Sequence, residues 1–171
     1  MMRRSLILSC SLSLAACSSD PVRDQNIEFL GPEAAGVPPG PLHRPNQPCL
    51  LCHDGDRPGD AVFSVAGTIF KQQQLLDPLP DALVRLVDSQ RRHFQTATNC
   101  AGNFFVDPRD FDPVYPLWVS LEFGGIVLPM STPIFREGSC ASCHSDPASA
   151  ESAGHAFFAP VEIPFPPSNC P

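Results

Sequence analysis

A chain of 171 residues with a 43% hydrophobic share has room for one ordinary domain or a small one with flanking segments, and its 21 prolines argue against a helical bundle. The formal net charge is −7 with a single lysine (Lys71) and scattered arginines, so no basic face exists for nucleic acid. An acidic surface suits an exported body, or one that docks a basic partner.

The first residues read as a targeting segment. Arg3 and Arg4 form a positive start, Leu6 to Leu14 form a short apolar run, and Leu14-Ala15-Ala16-Cys17 follows. That run is too short to span a bilayer as a permanent helix. The tetrapeptide resembles the lipobox of bacterial lipoproteins. The resemblance implies a signal peptide over residues 1–16, with Cys17 as the lipidated first residue of the mature chain. Ser18 and Ser19, with no Asp behind the Cys, resemble the sorting pattern of outer-membrane passengers. Residues 17–42 are expected to form a flexible linker, because Gly31 to Gly40 is rich in Gly and Pro and has no period of helix or strand.

Residues 43–61 hold the first chemical motif, Cys49-Leu50-Leu51-Cys52-His53. Residues 62–128 then carry β-rich runs: 61–70, 82–88, 93–98, 103–106 and 117–123. The last of these meets Ile126-Val127-Leu128 across Gly124-Gly125, a two-residue hairpin signal. The expected fold is mainly β, a small antiparallel sandwich flanked by loop-rich, partly helical segments. Within it, Val65-Ala66-Gly67-Thr68-Ile69-Phe70, then Leu79 to Asp88, Thr96-Ala97-Thr98-Asn99 and Gly102-Asn103-Phe104-Phe105 resemble carboxypeptidase regulatory-like (transthyretin-like) domains. The likeness covers roughly residues 62–106 and implies a β-sandwich with no catalytic residues of its own. Residues 129–171 hold the second motif, Cys140-Ala141-Ser142-Cys143-His144, and a Pro-rich tail.

Cys-x-x-Cys-His is the attachment signal of c-type haem. Two intervening residues let one turn present both thiols to a single porphyrin, and the adjacent His faces the iron. Two such motifs behind an export signal resemble multihaem c-type cytochromes. The resemblance implies two covalent haems on Cys49, Cys52, Cys140 and Cys143, with His53 and His144 as proximal ligands. It also implies electron transfer at the cell envelope with a redox partner protein, on a lipid anchor at Cys17. Structural zinc is the main rival, although pairs almost ninety residues apart are far from the usual zinc spacing. Local disulfides or thioredoxin-like pairs are others, but the strand–helix frame of a redox pair is missing.

Three histidines remain. His43 lies before the first motif and His155 after the second, so both are candidate distal ligands, and bis-histidine ligation of both irons is the sharp expectation. Their rival reading is plain surface histidine. His93 follows Arg91 and Arg92 and reads as solvated, and Met130 reads as core filling. Cys100 and Cys170 are left over in an oxidising compartment, where a disulfide between them would tie the tail to the body. Two functional classes stay open: an electron carrier, or a lipid-anchored binding or sensing module whose haems (or a zinc ion) are structural or sensory. A peroxidase-like enzyme would need an open iron and an acid–base pair that the sequence does not offer. Because the stretches around both motifs have little hydrophobic period, the body is also expected to need haem in order to fold.

Overall fold

Residues 65–70 are all buried, so the first strand run has no solvent face. That departs from the alternation of a half-buried strand, and it organises the molecule. The computed structural model describes residues 20–56, 59–159, 164–168 and 170. In chain order the strands are β1 (Val65–Thr68), β2 (Phe70–Gln72), β3 (Leu75–Pro78), β4 (Leu83–Val87) and β5 (His93–Ala97). They continue with β6 (Asn103–Val106), β7 (Trp118–Phe123), β8 (Ile126–Pro129), β9 (Gly138–Ser139) and β10 (Phe157–Ala159).

These strands make three small sheets in the orders β6-β1-β9, β10-β2-β3 and β5-β4-β7-β8. In β4, Val84 and Leu86 are buried while Arg85 points to solvent, which is the alternation of a half-buried strand. Val84 and Leu86 meet Val65, Ile69, Phe104, Val106, Phe111 and Leu117 in one core between the sheets. Pairing from β1 to β8 is antiparallel throughout. The β7–β8 hairpin turns at Gly124 and Gly125, whose φ values of 57° and 79° suit glycine best.

The second-motif segment does not merely flank this body. It contributes β9, parallel to β1, and β10, parallel to β2. The fold is thus a mainly β, sandwich-like packing with two parallel edge strands added from residues 138–159.

The stretch expected to be a free linker differs from residue 20 onward. It holds the one α-helix of the described residues, α1 (Pro21–Phe29), and its loop is bonded to the body. Asp20 caps the helix by accepting from the Val22 and Arg23 amides, and proline at the first helical position is pre-set for it. Arg23 donates to the Leu50 and Leu51 carbonyls and pairs with Asp54. Further on, Asn103 Nδ2 donates to the Pro41 and His43 carbonyls. Cys17 and the expected signal segment lie outside the described residues, among which no helix is long and apolar enough to cross a membrane.

The expected disulfide is present: Cys100 and Cys170 are bonded, with their Cα atoms 5.5 Å apart. The tail returns as expected, and Phe165 packs against Phe123 and Phe158 at ring-centroid distances of 5.8 and 6.4 Å.

Candidate functional site

Each Cys-x-x-Cys-His motif folds as the same single turn. Cys49–Leu51 and Cys140–Ser142 are 3-10 turns entered from extended residues, Pro48 and Ser139. They are closed by Cys52 and Cys143 at nearly equal dihedrals (φ −112°, ψ −20° and φ −118°, ψ −23°). In the first turn the Cys52 and His53 amides donate to the Cys49 carbonyl at 3.1 and 3.0 Å. In the second, Cys143 and His144 donate to Cys140 at 3.1 and 2.8 Å. A turn of this kind keeps both sulfurs and the following ring within one short arc.

The imidazoles are oriented alike. His53 Nδ1 lies 2.8 Å from the Ala61 carbonyl, and His144 Nδ1 lies 3.1 Å from the Gly154 carbonyl. A carbonyl only accepts, so each Nδ1 carries a proton, and in the neutral ring the lone pair is on Nε2. The chain must loop back to deliver these acceptors, and Gly59 permits it in the first motif. A side chain there would collide with the His53 ring and the Cys52 carbonyl.

Both turns seat on β1. Phe105, opposite Ala66 in register, stacks on Phe63 at 4.9 Å, and Phe63 stacks on His53 at 4.7 Å. The Asn46 amide donates to Thr68 Oγ1. Gly67, opposite Phe104, leaves room for Cys140, whose Cβ and Sγ would lie 2.6 and 2.8 Å from an added Cβ. Successive strand residues face opposite ways, so the first turn approaches from the Ala66–Thr68 side and the second from the Gly67 side. This double cover is why β1 has no solvent face. Asn46 also reaches across to Asp146 Oδ2 at 3.0 Å, joining the two motif segments directly.

A cleft of about 650 Å³ opens beside the first turn. Leu30, Pro41, Phe63 and Phe105 supply apolar walls, and Cys49, Cys52, His53 and His43 face one another across it. The volume is that of a small-molecule or cofactor site. The His43 and His53 ring centroids are 5.8 Å apart at 64°. Glu33 Oε1 sits 3.0 Å from His43 Nδ1 and accepts from Arg44, while Glu33 Oε2 is buried with no hydrogen-bond partner.

His155 is placed differently. Its ring is buried, with Nδ1 2.9 Å from both Asp146 oxygens and Nε2 3.0 Å from the Gln72 carbonyl. Burial works to raise the Asp146 carboxyl, but hydrogen bonds from His155 and Asn46 outweigh it and hold the group below the usual carboxylate range. His93 is exposed on β5, as expected.

The leading thiol of each motif is desolvated. Burial pushes Cys49 up to about 11, with Cys52 adding to the rise. Cys140 is pushed up to about 12 by burial, then by the neighbouring Cys49 and Cys143 sulfurs. Among the described residues no three His, Cys, Asp or Glu side chains are arranged to hold a metal ion by themselves.

Comparison with protein-family models, curated proteins and solved structures returns no match. The site therefore stands on its own geometry. Sequence reasoning picked out the cysteines and histidines but missed Arg23, Glu33, Phe63 and Asn103, which brace them. Of the missed signals, only Asp20-Pro21, an N-cap followed by a first-turn proline, could have been read in advance.

Proposed function

We infer that this chain is a diheme c-type cytochrome that carries electrons at the cell envelope, with a sandwich of the carboxypeptidase regulatory-like kind as its scaffold. The observation that carries the reading is the duplicated site. Two turns of the same geometry each present two sulfurs and an imidazole whose Nδ1 is held by a backbone carbonyl. That outer hydrogen bond is what orients a metal-binding histidine and makes it a better donor. A thiol redox pair gives no reason for it to occur twice; zinc would use the same bond, but the two pairs lie almost ninety residues apart and, among the described residues, no three such side chains gather to hold a metal ion. A redox pair would also need a thiol pKa lowered toward neutrality, and burial drives Cys49 and Cys140 the other way.

The residues at the first turn fit the group. The first cleft has the volume and the apolar walls for a porphyrin edge, with both sulfurs and His53 on one side. His43 lines the same cleft, its ring centroid 5.8 Å from that of His53, so it would be at hand as a second imidazole for the group. Cys49 and Cys52, and Cys140 and Cys143, would form the thioether links, with His53 and His144 on the irons. Haem supplies one-electron chemistry when bound. The chain's part is to fix the imidazoles through Ala61 and Gly154, exclude water with Phe63 and Phe105, and keep the two sites together on β1.

Export and a lipid at Cys17 would set this body at the membrane surface, and the acidic balance suits a basic redox partner. The experiment is a pyridine haemochrome spectrum with intact mass, on protein made alongside a cytochrome c maturation system. The expected result is a c-type reduced spectrum and a mass gain of two haems. A chain without covalent haem, holding zinc or local disulfides at these cysteines, would overturn the reading.

A further inference from the structure

The five histidines can be followed one by one, and they do not divide equally between the two motifs. His53 and His144 are taken up by the turns themselves. His43 shares the first cleft with His53, and Glu33 holds its Nδ1, so its Nε2 is left for the cleft. His93 sits exposed on β5, the outer strand of the opposite sheet.

His155 is the one histidine left for the second motif, and both of its nitrogens are occupied. Nε2 faces the Gln72 carbonyl, which only accepts, so that nitrogen carries a proton and has no lone pair for a metal. Nδ1 faces a carboxylate. The ring is wedged against Phe70 and Phe157 at 4.9 and 6.2 Å. Turning it outward would strip the half-buried Gln72 carbonyl of this donor and break the contact with Asp146, the residue that Asn46 reaches across the two motif segments. Met130 is tied to the β7 side of the other sheet by its amide bond to Val119. The second turn is also open to solvent, with Ser142 and Cys143 exposed.

We propose that the two sites are unequal: His43 gives the first a second imidazole, whereas His155 is a structural clamp. The second site's outer axial position is then free for a small neutral ligand of the carbon monoxide and nitric oxide class. This rests on the diheme reading above. Access and polarity on the outer side of a haem decide whether it transfers electrons or takes a ligand, so one chain would hold one site of each kind.

The test is a carbon monoxide titration of the dithionite-reduced full-length holoprotein, with two covalent haems first verified by mass. Uptake is expected to saturate at about one equivalent per chain, because a bis-histidine iron binds the gas poorly. His43→Ala should raise it to about two equivalents, and His155→Gln should leave it at about one. Electron paramagnetic resonance of the oxidised wild type should show one low-spin bis-imidazole signal and one site of different spin or axial ligation. No uptake by the wild type, two equivalents in the wild type, or a second equivalent gained in His155→Gln would each overturn the proposal. The wild-type titration decides even if a variant fails to fold. Fewer than two covalent haems would overturn the diheme reading and this inference with it.

Discussion

At the residue scale, the cysteines differ from one another more than their spacing suggests. Thiols react as thiolates, so a pKa raised by burial lowers reactivity at ordinary pH. Cys49 at about 11 and Cys140 at about 12 are almost wholly protonated at pH 8, and their thiolate fractions recover only as pH approaches those values. In haem-free protein at pH 8, iodoacetamide should therefore modify both at least ~100-fold more slowly than a free cysteine, and exposed Cys143 should react ahead of them. Peptide mass spectrometry over time reads this directly. Alkylation of Cys49 and Cys140 at the free-cysteine rate would show that their sulfurs are not desolvated. The motif residues were legible because their spacing is the chemistry. The acceptors at Ala61 and Gly154 were not, since each depends on a loop returning eight or ten residues later. His43 and His155 are placed symmetrically in sequence, but burial beside Asp146 gives His155 a different neighbourhood.

At the scale of elements, β4 to β8 were readable from alternation and from Gly124-Gly125, and their observed bounds fall within a residue or so of the expected runs. The missed elements lack such a signal. Strand β9 is two residues long, and β10 is three, so their pairing is decided by tertiary contact rather than by pattern. Helix α1 buries no residue and is held by its cap and by Arg23, which leaves no apolar stripe to read. Strand β1 departed from alternation because both of its faces are covered, and Gly67 is where that cover is tightest. A methyl group there would lie 2.6 Å from Cys140 Cβ and 3.1 Å from the Phe104 ring, between elements that have no room to yield. Gly67→Ala should cost about 1–3 kcal/mol, the usual range for overpacking a filled interior. Urea denaturation monitored by circular dichroism would measure it, and an unchanged or raised midpoint would mean that Cys140 is not seated against this strand.

At the scale of the whole molecule, the sequence suggested a sandwich bracketed by two modules, and the chain instead brings both motifs onto one central strand. What could not be read was this convergence, because it rests on side-chain bonds such as Asn46 to Asp146 between residues far apart in the chain. It bears on the expectation that the body needs haem to fold. The core that joins the sheets, from Val65 and Ile69 through Leu86, Phe104 and Leu117 to Phe158, contains no residue of the first motif. Of the second motif only Cys140 packs against it, from its margin. Burial of these side chains, with the Cys100–Cys170 cross-link closing the tail, drives folding of the β-body whether or not the cysteines carry a cofactor. The first motif lies outside that core, and the wide first cleft opens between its loop and the sandwich. Such segments open at low cost while a packed core opens only with the whole domain. The haem-free, disulfide-intact chain should therefore unfold cooperatively in urea and keep native-like near-ultraviolet circular dichroism. Hydrogen exchange should be slow in β1, β4, β6 and β7 but fast in residues 43–56, and haem attachment should slow exchange in that stretch first. Non-cooperative unfolding, or uniform fast exchange across the strands, would mean that the sandwich cannot stand without its cofactor.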